Sequence, residues 1–97
     1  MGQRYSRIQK SDGLTNTRIP VKVQEDKSGV PQAVLLCGRW VRISSVLKHW
    51  DVSETLLGEE RLIKSYFETI TERSASLRLF RNHVTGSWYR EDTAPKT

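Results

Sequence analysis

The residues with the strongest chemical potential are aromatics interleaved with cations. Arg39-Trp40-Val41-Arg42 forms one cluster, with Lys48-His49-Trp50 downstream, and Arg78, Phe80, Arg81, Trp88, Tyr89 and Arg90 form a second. Single-strand nucleic-acid binders combine these side chains: bases stack on aromatic faces at about 1–3 kcal/mol each while cations track the phosphates. The nucleic-acid contacts expected here are Arg39, Arg42, Arg78, Arg81 and Arg90, with Trp88 or Tyr89 stacking. On a strand Arg78 and Phe80 share a face, as do Trp88 and Arg90. The competing reading makes the aromatics a core and lays the arginine stems over it.

Other chemistries find less support. Glu59, Glu60, Glu68 and Glu72 carry no spacing that makes carboxyls converge, as acid–base work requires, and read as solvated charges. His49 and His83 lie in unrelated contexts, at a Lys-His-Trp step and a hairpin tip. No Gly-x-Ser-x-Gly element occurs. Cys37 is the single cysteine, which excludes an internal disulfide and reads as a small buried hydrophobe. One Cys and two His do not make a zinc set. The glycines, at 2, 13, 29, 38, 58 and 86, are scattered as turn formers rather than grouped as a phosphate loop. No catalytic residue, metal or other cofactor is expected, and the chain reads as a non-enzyme.

Ninety-seven residues at net charge +5 leave room for one modest core. The charge is uneven: net +4 over residues 18–50 and −3 over 51–75. A basic surface can attract phosphate backbones or serve only solubility. No apolar run approaches the ~20 residues of a membrane span, and the N-terminus lacks a signal-peptide core. The expected location is cytoplasmic.

These residues need a scaffold, and the pattern predicts an all-β one. Residues 1–17 and 92–97 read as flexible tails around a single domain at 18–91. Ile19, Val21 and Val23 alternate with polar partners, a strand signature that Pro20 confines to an edge. Short strands at 31–36 and 40–43 flank a Cys37-Gly38-Arg39 turn. Residues 44–50 fit either a helical turn or a bulged strand, because the apolar parity changes at Ser44-Ser45. The acidic stretch 51–60 reads as a loop. Arg61–Thr71 should be a long strand, followed by a turn at 74–76 and a strand at 77–81. A hairpin at 82–86, with Gly86 left-handed, leads into 87–91. Five or six antiparallel strands would curl into a partial barrel or roll. Phe67 and Phe80 break the parity of Tyr66, Ile70, Leu77 and Leu79, so some aromatics must face away from one core. Trp40 and Trp50 are expected to anchor that core.

The stretch Pro31-x-x-Val34-x-x-x-Gly38-Arg39-Trp40-Val41-Arg42-Ile43-x-x-Val46-Leu47-x-x-Trp50 resembles the start of a small bacterial domain family of unknown function. Tyr66-Phe67-x-Thr69 and Leu79-Phe80-Arg81-Asn82-x-x-Thr85-Gly86-x-Trp88-Tyr89 are similar to its end. The resemblance covers about residues 31–91. Such domains are often encoded near DNA-repair genes, including those of translesion-polymerase-like proteins. The resemblance implies a small β domain in a DNA-maintenance setting, and supplies no activity.

Two functions follow as expectations. One is an accessory nucleic-acid-binding module, for single or double strands. The other is a protein-interaction module, with a DNA-repair protein as partner, using an exposed strand edge or an apolar patch around Phe67 and Phe80.

Overall fold

The computed structural model describes residues 14–95. Seven strands form one antiparallel sheet: β1 (Leu14–Val21), β2 (Val23–Glu25), β3 (Pro31–Leu36), β4 (Arg39–Leu56), β5 (Glu59–Thr71), β6 (Ser76–Asn82) and β7 (Trp88–Pro95). The order across the sheet is β1-β7-β6-β5-β4-β3-β2. Its two edges are consecutive in the chain, separated only by Lys22, so the sheet curls into a half-barrel. Lys22 marks the change of neighbour. Before it β1 pairs with β7; beyond it β2 pairs with β3, and the Lys22 carbonyl accepts the Leu35 N–H at 2.9 Å. Pro20 lies on the edge strand β1, where a missing donor costs least.

The connections are short because the turns are built locally. Cys37-Gly38 and Leu57-Gly58 are two-residue turns, with φ of 50° and 78° in the first and 54° and 79° in the second, as the type I′ hairpin requires. Cys37 is therefore exposed, not buried as its residue type implies. The β6–β7 turn ends on Gly86, φ 81°, and Asn82 Oδ1 accepts the N–H groups of Val84 and Thr85.

Residues 44–50 form no helical turn. β4 runs through them with register shifts between Ile43 and Ser45 and between Val46 and Lys48, so Ser44 and Leu47 are extra residues. Each bulge flips the facing side chains, which accounts for the parity change at Ser44-Ser45. Ser44 Oγ donates to the carbonyls of Ile70 and Thr71. The acidic stretch 51–60 is no loop either. It is the far half of the β4–β5 hairpin, which continues as a two-stranded arm beyond the rest of the sheet.

The strand set also extends the sequence reading at both ends. Residues 14–17 are part of β1 and 92–95 part of β7; residues 1–13 and 96–97 lie outside the described residues. Inside the curl, Val34, Val41, Phe67, Leu79 and Trp88 form the core, with Val21, Val23, Leu36, Ile43 and Leu77 packed against it. Trp40 is not part of that core: it is 47% exposed, whereas Trp88 is 6% exposed. Trp50 is half-buried on the opposite face of the sheet.

Candidate functional site

One row of the sheet explains the parity conflict among the aromatics. Trp50, Tyr66, Phe80, Tyr89 and Pro20 are successive register partners across five strands. Their side chains therefore share the outer face. Trp50 stacks on Tyr66 with centroids 5.1 Å apart, Tyr66 meets Phe80 at 5.0 Å, and Phe80 stacks on Tyr89 at 5.1 Å. Lys64 Nζ lies 5.1 Å from the Phe80 centroid and the Arg78 guanidinium 5.5 Å from that of Trp50. Burial, and then the nearby Glu91 carboxylate, raise the Tyr66 hydroxyl above its ordinary titration range. Neighbouring rings and cations already occupy the ring faces, so the row zips the outer surface rather than offering a platform for bases.

The neighbouring row neutralises the cations expected to hold phosphates. Arg78 bonds Glu68, Nε to Oε2 at 2.8 Å, and reaches Glu91 at 3.4 Å. Arg18 approaches Glu91 from the other side at 3.9 Å. Arg90 pairs with Asp92 at 3.2 Å and Arg81 with Glu25 at 3.4 Å. Trp88 is buried in the core and gives its indole N–H to Glu25. Of the residues singled out for nucleic acid, Arg39 and Arg42 remain exposed and outside any ion pair among the described residues. Trp40, exposed beside them on the β3–β4 hairpin, shares its face with Arg42. Phe67 and Phe80, proposed as an apolar patch, are 3% and 2% exposed. They form no surface.

Sequence reasoning missed a polar cluster at the mouth of the curl. Asp51 and Ser65 are register partners on the inner face. Ser65 Oγ donates to Asp51 Oδ1 at 2.7 Å and lies 2.8 Å from His83 Nε2. His49 Nε2 is 3.2 Å from Asp51 Oδ1, and its ring stacks on Phe67 at 4.5 Å. His83 is brought in by the backbone. The register shift between Val52 and Ser53 makes Ile63 an extra residue of β5, and its carbonyl accepts the His83 N–H at 2.8 Å. No spacing in the sequence announces this meeting; only the bulge count and the turn geometry produce it.

The cluster lines a cleft of about 240 Å³ between the β2–β3 turn, at Ser28 to Val30, and the base of the arm. The Ser65 hydrogen bond, with the ring of His49 adding to it, holds the Asp51 carboxyl below its ordinary range against a smaller opposing effect of burial. The order of the groups decides its chemistry. In nucleophilic catalysis a histidine stands between serine and carboxylate and takes the serine proton. Here serine stands in the middle and its one proton goes to Asp51, so His83 must donate to the hydroxyl. The trio pins two strands and a turn rather than activating an oxygen. Among the described residues, no group of three His, Cys, Asp or Glu is placed to hold a metal, and no helix is long and apolar enough to cross a membrane.

The arm is the most prominent surface. Val52, Leu56, Leu57 and Leu62 are all exposed on it, Leu57 at 96%. Glu54, Glu59 and Glu60 lie beside them. Comparison with family models, with curated proteins and with solved structures returned no match to this chain.

Proposed function

We propose that this chain is a binding module rather than a catalyst, and that it docks onto a protein through the β4–β5 arm. The observation that carries the reading is Leu57: an almost fully exposed leucine at φ 54° at the tip of a hairpin. A left-handed non-glycine residue costs about 1–2 kcal/mol, and the turn type favours Asn at this position. An apolar side chain there serves neither the turn nor the core. Four exposed apolar side chains on one arm fit a contact surface. A DNA-repair protein is the partner class consistent with the family resemblance.

A photoreactive phenylalanine analogue placed at position 57, and separately at position 73, tests the reading in cells that express the chain. Cross-linking to one protein from 57 and not from 73 supports it. No adduct from either position refutes it.

A second reading, accessory nucleic-acid binding, rests on the exposed hairpin of Arg39, Trp40 and Arg42. Residues 14–95 hold twelve basic and ten acidic side chains, net +2, so among the described residues the reading depends on this local cluster rather than on overall charge. Anisotropy with labelled single- and double-stranded oligonucleotides tests it. Absence of binding at about 50 mM salt, where phosphate contacts are strongest, removes it.

A further inference from the structure

We propose that the partner segment is extended and basic, and that it adds as a new strand along the free edge of β4. The inference rests on the reading of the arm as a docking element and names the chemistry of what it receives.

The edge is there because β4 outruns its neighbour. β3 pairs only with Arg39 to Arg42, whereas β4 continues to Leu56 with β5 on one side. Successive residues of an antiparallel strand direct their N–H and C=O groups to alternate sides. From Ser44 onward, the groups turned away from β5 meet no backbone partner among the described residues. Long edges of this kind invite strand addition unless they are blunted. The bulges at Ser44 and Leu47 blunt the first part. The third bulge lies in β5, at Ile63, so β4 itself is regular from Lys48 to Leu56.

Charge selects the occupant. Residues 51–64 carry Asp51, Glu54, Glu59 and Glu60 against Arg61 and Lys64, a net charge of −2. A second copy paired on this edge would bring a second acidic set against the first, and like charges opposed across strands destabilise a pair. A basic strand meets the opposite situation. On one face of the arm Val52, Glu54 and Leu56 alternate, with Lys64, Arg61 and Glu59 as their register partners. The matching segment places apolar residues opposite Val52 and Leu56 and a cation opposite Glu54. Main-chain bonds then supply the affinity, and these alternate side chains the specificity.

The probes are fluorescein-labelled heptapeptides, Thr-Val-Thr-Lys-Thr-Val-Thr (the Lys-Val peptide) and Thr-Val-Thr-Glu-Thr-Val-Thr (the Glu-Val peptide), each of which presents its two valines and its charge on one strand face. Both are titrated by anisotropy against the full chain. A third probe is a Lys-Val peptide N-methylated at alternate residues, which removes main-chain donors and keeps the charge. The Lys-Val peptide is expected to bind at least tenfold more tightly than either other peptide. The exposed double variant Glu54→Lys/Glu60→Lys should lose that tenfold preference. Equal binding of the N-methylated peptide overturns strand addition, because charge alone would suffice. No binding of the Lys-Val peptide at millimolar concentration overturns the proposal, as does sedimentation showing arm-mediated dimers. Cross-linking from position 57 is read independently: adducts there with no peptide binding would keep the docking arm and discard the basic strand.

Discussion

The indole Nε1–H of Trp88 donates to Glu25 Oε2 at 3.0 Å, tying β7 to β2 across 63 residues of sequence. The bond satisfies the one polar atom of a core tryptophan and also fastens the short strand at the end of the sheet. Glu25→Ala leaves that donor without its partner at the edge of the core, at a cost of about 1–3 kcal/mol. Glu25→Gln keeps an acceptor and should cost less. Urea unfolding of the two variants checks the order; equal destabilisation would show that the charge, not the hydrogen bond, matters.

Two tryptophans of similar sequence context should behave oppositely. Trp88→Ala removes a buried ring in contact with Phe67 and should cost about 3–5 kcal/mol, much of the stability of so small a domain. Trp40→Ala removes a half-exposed ring and should change stability by about 0.5 kcal/mol or less. Denaturant midpoints compare them directly.

Leu57→Asn gives the β4–β5 turn the residue its backbone favours. Stability should rise by about 0.5–1 kcal/mol. The same change removes the most exposed leucine of the protein's described part, so binding to the partner captured from position 57 should fall. A variant that is more stable and still binds fully would assign the contact elsewhere on the arm.

Asp51 makes the acid limb of stability testable. Its folded pKa is lowered, chiefly by the Ser65 hydroxyl. A depressed carboxylate contributes stability that is present above its unfolded pKa, about 3.9, and is lost as pH falls through the lower folded value. Unfolding midpoints measured from neutral pH into acid should therefore fall more steeply below about pH 4 in the parent than in Asp51→Asn. Parallel profiles would mean that the Ser65 bond does not favour the ionised form.

Much of the fold was legible from alternation and turn chemistry. The β-branched run before Thr71 and Asn82 to Gly86 each carry a local signal that the structure follows, whereas the alternation of Ile19, Val21 and Val23 predicts one strand and is divided at Lys22 between β1 and β2. The acidic residues of the arm hide a pair of strands because a polar run has the composition of a loop, although Leu57-Gly58 turns the chain as tightly as Cys37-Gly38 does. Trp40 and Trp88 exchanged roles because parity alone does not reveal which face of a curled sheet is inside. The Asp51, Ser65 and His83 cluster was illegible for another reason. Its members meet only after a bulge in β5 and a turn between β6 and β7 have been placed, and neither has a sequence spacing of its own.

The half-barrel has an order-of-assembly consequence. β3 through β7 form a meander in which every strand pairs with its immediate successor, so these pairings close over short spans of chain. β1 has no such neighbour: Leu14 pairs with Pro95. Contacts this distant in sequence form slowly. Of the seven strands, the one synthesised first is thus the one that must wait for the last before it can join the sheet, and until then the edge of β7 stays open.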